Sequence, residues 1–156
     1  MQNESGTRNL KRFIRHSKLG IRHSKFGSAD RLRQAALEAR GHAHAPFSGF
    51  RVGAALLDKS GRIITGCNVE NATYGLTVCA ERVAIFKAIS EGCTKFKAIA
   101  VAADSETLTP PCGACRQIIW EFCGDIPVYM VNLQGKRKKI QMRDLFPSPF
   151  DSRQLS

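Results

Sequence analysis

The sequence predicts an α/β fold: a three-layer α/β/α sandwich around a mixed sheet of about five strands. Three observations carry that expectation. The 156 residues are the length of one domain, and 43% hydrophobic with 24% charged residues is ordinary for a chain that buries a core. Segments with helical spacing alternate with short apolar runs. Strands joined through helices produce a mixed sheet with helices on both faces.

Residues 29–41 begin the regular structure. Leu32, Ala35, Ala36 and Ala39 recur at helical spacing, Asp30 stands as an N-cap and Gly41 as a stop. Residues 51–57 and 62–67 flank Asp58, Lys59, Ser60 and Gly61, the pattern of a β-hairpin. Residues 79–91 read as a helix ended by Gly92, and 97–103 as a buried strand through Ala98, Ile99, Ala100 and Val101. Pro110 and Pro111 hold off helix until Cys112, and 113–123 form the next helix. Residues 126–131 and 137–141 are strands around a turn at Asn132 to Gly135, 142–146 a short helix or turn, and the rest a polar tail. In such sheets ligands sit at strand ends near helix N-termini. Cys79, Cys112 and Cys115 all fall at predicted helix starts.

The net charge of +11 is unevenly spread. Residues 1–28 hold seven Lys/Arg against one acid, and contain the tandem copies IRHSKLG (14–20) and IRHSKFG (21–27). Two short copies make no repeat fold. Residues 1–28 are therefore expected to be a basic, disordered extension and 29–156 the folded domain. With more than half the excess charge in the first fifth of the chain, the folded part does not read as a nucleic-acid-binding core. No apolar run approaches the ~20 residues that cross a membrane. No signal-peptide pattern opens the chain, although an Arg-rich, acid-poor start also suits a transit peptide. Six cysteines in so apolar a chain do not read as a disulfide framework, and a C-x-x-C at Cys112 and Cys115 means metal or redox chemistry in a reducing compartment, the cytoplasm.

Two motifs carry the chemistry: VCAER at 78–82 and PCGACRQ at 111–117. Together they offer three thiols and one carboxylate. Cys112 and Cys115 share a helix face across one turn, and helix N-termini favour thiolate. Three thiolates leave one position open on tetrahedral zinc, which is the pattern of catalytic rather than structural sites. Glu81, two residues from Cys79, is placed to move protons to and from whatever fills that position. Three thiolates on zinc carry a formal charge of −1, so Arg82 and the backbone N–H groups near Arg116 and Gln117 are expected to draw charge off the sulfurs. The scheme requires the two helix starts to face each other.

At these residues the chain resembles the cytidine deaminase family, in its small, homotetrameric, three-cysteine form. GCNVENATYG (66–75), VCAER and PCGACRQ occur in the family's order and spacing, and the resemblance runs from about residue 46 to 150. It implies zinc, one ion per subunit, on Cys79, Cys112 and Cys115, with Glu81 as proton shuttle. It implies hydrolytic deamination of cytidine and 2′-deoxycytidine in pyrimidine salvage, with zinc-bound hydroxide attacking C4. It also implies that the Ala80 N–H meets the base carbonyl, that Asn68 and Glu70 bind the ribose 3′-hydroxyl, and that Phe50 packs on the nucleoside. Phe150 would reach a neighbouring subunit's site, so a homotetramer would share its active sites. Phe47 stands where many relatives have tyrosine. The near alternative is deamination of a related cytosine nucleoside such as blasticidin S. A structural zinc module would need a fourth Cys or His near these three, and none presents itself. Cys67, Cys93 and Cys123 are expected as inert, partly buried thiols. His42 and His44 are expected in solvent, and Trp120 and Phe122 in the core or at a subunit contact. The run Lys136 to Lys139 is expected on an edge strand, where it discourages edge pairing.

Overall fold

The computed structural model describes residues 27–155. The basic extension expected over 1–28 lies outside the described residues through position 26. Helix α1 (Ser28–Arg40) leads to strands β1 (Val52–Asp58) and β2 (Ile63–Cys67), then helix α2 (Ala80–Ser90) and strand β3 (Phe96–Ala103). Helix α3 (Gly113–Cys123), strands β4 (Pro127–Asn132) and β5 (Arg137–Gln141), helix α4 (Met142–Leu145) and a 3₁₀ turn (Ser152–Gln154) complete the chain. The five strands are ordered β2-β1-β3-β4-β5, and only β3 and β4 run parallel among them. The mixed five-stranded sheet expected from the sequence is present, with element ends shifted by a residue or so.

Alternation along the strands assigns the two faces. Ala54, Leu56, Ile99 and Val128 point into one core with Ala84, Ile85 and Ala88 of α2, Ile119 of α3 and Met142 of α4. Ala55, Ala98, Ala100, Ala102 and Val131 point the other way, onto Leu32 and Ala36 of α1. The alanine-rich strands let the helices sit close to the sheet, and two glycines take the approach further. A Cβ on Gly53 would lie 2.1 Å from the Ala36 carbonyl oxygen and 2.3 Å from the Arg40 nitrogen, against α1. A Cβ on Gly66 would lie 2.5 Å from the Ala84 nitrogen and 2.6 Å from the Ala80 carbonyl oxygen, in the first turn of α2. Gly66 therefore sets how closely the helix bearing Glu81 lies on β2.

One cap differs from expectation. The N-cap of α1 is Gly27, and Asp30 lies within the first turn. There it still complements the helix dipole and pairs with Arg33 and, at 3.6 Å, with Arg137 of β5. Lys136 to Lys139 do run onto the edge strand β5. His42 and His44 are exposed, Trp120 packs against the α2–α3 core, and Phe122 stands edge-on to Phe86 at 6.2 Å. No described helix is long and apolar enough to cross a membrane.

Candidate metal and nucleoside site

Both cysteine motifs cap helices. Cys79 is the N-cap of α2 and Cys112 the N-cap of α3, each in extended conformation. The two helices lie on the same face of the sheet, and their starts meet. The Sγ atoms of Cys79, Cys112 and Cys115 lie within 4.8 Å of one another, with Cys79 and Cys112 at 4.0 Å. Zn–S bonds of about 2.3 Å in tetrahedral geometry put sulfurs roughly 3.8 Å apart. The trio fits a soft, thiolate-binding metal such as zinc with little movement. Among the described residues no fourth Cys, His, Asp or Glu joins the group.

Burial is graded across the trio: Cys115 is buried, Cys79 half-buried and Cys112 exposed. A hydrogen bond from Cys115 and the neighbouring Arg82 draw the Cys79 thiol down to about 5, against a burial effect that raises it. Cys115, which donates to Cys79 and is buried, is pushed far up. The Arg82 Nη2 donates to the Thr77 carbonyl at 3.0 Å and lies 3.7 Å from Cys79 Sγ, while its buried Nε has no protein partner. Glu81, in the first turn of α2, is only 4% exposed. Burial, and then the Cys79 thiolate, push its carboxyl above the usual carboxylate range. Ala80, fully buried, is the first residue of α2, so its N–H precedes the intrahelical ladder.

Asn68 and Glu70 sit on a short extended segment pinned between two others. Val69 exchanges backbone hydrogen bonds of 3.0 Å with Val78, the residue before Cys79. On the other side His44 N–H donates to the Asn68 carbonyl and Glu70 N–H to the His44 carbonyl. This ties the N-x-E segment to the start of α2. The side chains of both residues also hold the loop over 47–52. Asn68, 8% exposed, accepts from Val52 N–H at 2.8 Å and donates to the Phe50 carbonyl at 2.9 Å. Glu70 accepts from the N–H groups of Phe47 and Ser48 and from the Ser48 hydroxyl. These bonds, the Ser48 hydroxyl first, hold its carboxyl below the usual range. Nothing in the sequence pattern pointed to Ser48, Thr77 or the His44 backbone, because each acts through a partner on another segment. Substituting Asn68 with Ala would leave the half-buried Val52 N–H and the Phe50 carbonyl without these partners. The expected cost is about 2 kcal/mol of stability, read from urea unfolding.

The aromatic residues expected to serve the site are exposed. Phe50 is 40% and Phe150 56% exposed. Phe47 is exposed and meets Tyr74 edge-on at 5.9 Å. The Gln117 side chain points to the C-terminal segment, its amide donating to the Phe150 carbonyl at 2.8 Å. Cys67, Cys93 and Cys123 are half-buried, and none of the six cysteines is in a disulfide.

Known proteins place this geometry. Residues 27–131 match the family described as "Cytidine and deoxycytidylate deaminase zinc-binding region". A cytidine deaminase of Sporosarcina psychrophila is 52% identical over 120 residues, 76% of this chain and 88% of its own. A blasticidin-S deaminase of Bacillus cereus is 34% identical over 62% of this chain and 74% of its own. The crystal structure of cytidine deaminase from Burkholderia pseudomallei superposes with a TM-score of 0.76 at 44% identity, covering 78% of this chain and 98% of that one. With one domain architecture, one three-thiol cluster and a matching sequence over most of its folded length, the chain belongs to the cytidine and deoxycytidylate deaminase zinc-binding family.

Proposed function

We propose that the protein hydrolyses cytidine and 2′-deoxycytidine to the corresponding uridines and ammonia, using one zinc ion on Cys79, Cys112 and Cys115. The observation that carries this reading is the three-thiol cluster, with no fourth protein ligand among the described residues and a buried carboxylate in the adjoining helical turn. When bound, zinc supplies a Lewis acid that brings water to a pKa of roughly 7. The protein's own groups do the rest. Cys79 and Cys112 present their sulfurs at positive helix ends, and Arg82 withdraws charge from Cys79. Glu81, its carboxyl raised by burial, takes a proton from the attacking water and delivers it to pyrimidine N3, then moves the proton of the new C4 hydroxyl to the departing amine, so that ammonia leaves and Glu81 is again a carboxylate. The Ala80 N–H meets the base carbonyl, and Phe50 covers the ring.

Sugar recognition falls to Asn68 and Glu70. A carboxylate has about four lone-pair sites. Three on Glu70 are taken by the 47–48 loop, which leaves the oriented fourth for a hydroxyl. Exposed Phe150, and the exposed Phe86–Phe122 pair on the outer faces of α2 and α3, support a homotetramer with shared sites. Free thiols throughout suit the reducing cytoplasm. The test is ultraviolet absorbance of the purified protein with free cytidine, deoxycytidine and single-stranded DNA or RNA. Loss of the cytosine chromophore is expected with the two nucleosides only. Turnover of a strand, or none of either nucleoside, overturns the reading.

A further inference from the structure

Helix α3 begins at the Cys112–Cys115 motif and also carries the C-terminal segment. Arg116 donates from Nε to the Pro111 carbonyl and from Nη1 to the Leu145 carbonyl, each at 2.8 Å. Gln117, the next residue, holds the Phe150 carbonyl. Pro111 is fully buried, yet neither it nor Pro110 has an N–H to anchor the backbone. The stretch that delivers Cys112 is therefore held by side-chain packing and by its carbonyls, and Arg116 takes the last carbonyl before the thiol. Cys112 is also the exposed member of the trio and has the least packing to fix it.

We propose that Arg116 is a positioning residue for metal retention: by gripping Pro111 and Leu145 with one planar guanidinium, it fixes the Cys112 backbone and links the hold on zinc to the C-terminal segment. The inference rests on the three thiols being the zinc site. A guanidinium presents its donors in a rigid fork, so two carbonyls gripped together are held in a fixed relation. Lysine has a single nitrogen on a flexible stem and secures such a pair less well. The C-terminal segment, which nothing in the cysteine motifs refers to, thereby becomes part of what keeps Cys112 in register with Cys79 and Cys115.

The experiment uses the full chain loaded with zinc. Melting temperature is measured in excess zinc and after chelation, and zinc release to a chromogenic chelator is timed. Wild type should melt higher with zinc. Arg116→Ala should shrink that zinc-dependent increment and release zinc about 10-fold faster or more. A merely structural arginine would lower both melting temperatures in parallel and leave the increment intact. Arg116→Lys should fall between the two. Arg143→Ala removes an exposed arginine of α4 that pairs with Asp125 at 3.3 Å, and should release zinc at the wild-type rate. Wild-type release and increment in Arg116→Ala overturn the inference, as does equal acceleration by Arg143→Ala. If Arg116→Ala is not obtained folded, Arg116→Lys decides: faster release supports the inference and wild-type release overturns it. A wild type with no zinc-dependent increment refutes the metal-site reading itself.

Discussion

Glu81→Gln is expected to leave zinc bound and to lower kcat by about 10²- to 10⁴-fold, the usual contribution of a positioned general acid–base. The substitution is close to isosteric, so the buried position, 4% exposed, is refilled without a cavity. It removes the proton-carrying carboxylate and keeps a side chain of the same shape beside Cys115, whose thiol hydrogen-bonds the carboxyl. Zinc content should remain near one per chain, and cytidine should still bind, since Asn68, Glu70 and Phe50 are unaltered. The sign of the pH dependence follows from the same burial. Because the carboxyl is held above the usual carboxylate range, it shares a proton closer to neutrality than an exposed glutamate does. In the wild type the acid limb of kcat should therefore lie above pH 4.5, the ordinary value for this side chain. Glu81→Gln should abolish that limb. Full turnover in the variant would remove Glu81 from the mechanism, and joint loss of zinc and turnover would make it a structural support of the cluster.

Gly66→Ala should have the largest effect of any single methyl group near the site. The added carbon meets the Ala84 nitrogen at 2.5 Å, the Ala80 oxygen at 2.6 Å and Val83 Cβ at 3.0 Å. Two of these are backbone atoms of α2 and cannot swing away, so the helix must lift from β2. Overpacking of this kind costs about 1–3 kcal/mol, occasionally more. Here the displaced turn carries Cys79 and Glu81, and a misplacement of about 1 Å can cost about 10²-fold in rate. The expected result is lower stability in urea together with lower zinc content and lower kcat in the folded fraction. Gly53→Ala is the matched comparison. Its carbon meets α1 backbone at 2.1 and 2.3 Å, on the opposite face of the sheet. It should destabilise at least as much and leave zinc content per folded chain unchanged. Equal zinc loss in both variants would mean that general destabilisation, not the seating of α2, governs the cluster.

Much of this fold was legible because its signals are local. Pro110 and Pro111 mark the start of α3, Gly92 closes the turn after α2, and the short apolar run through Ala98, Ile99, Ala100 and Val101 reads as a buried strand. The cap of α1 misled for the same local reason. Asp30 is a good capping residue, but Gly27, already extended, lets the helix begin at Ser28 and places Asp30 where the dipole still favours it. The cluster was legible in composition and not in geometry. That α2 and α3 bring their starts together depends on both helices lying on one face of the sheet, which follows from strand order and not from spacing. The Asn68 and Glu70 side chains show the same limit. Their bonds to residues 47–52 span 16 to 23 positions and exist only once the β1–β2 hairpin and the Val69–Val78 bridge have set the register. Arg116 sits within the PCGACRQ motif, but nothing in that motif points to its bond with a carbonyl 29 positions away.

The parallel pairing of β3 with β4 also orders events in time. The β1–β2 hairpin closes over a four-residue connection, a local step of about 1–10 μs. β4 cannot lie beside β3 until the chain has travelled out through residues 104–126 and back, and such long-range pairing is slow. Cys112 and Cys115 ride in that crossover, while Cys79 waits at the start of α2, 33 positions before Cys112. Until the crossover closes, the young chain offers its thiols as separate, weak ligands. Metal loading is therefore expected to be a late step in the protein's biogenesis, with the lifetime of a loaded site limited by reopening of that one crossover.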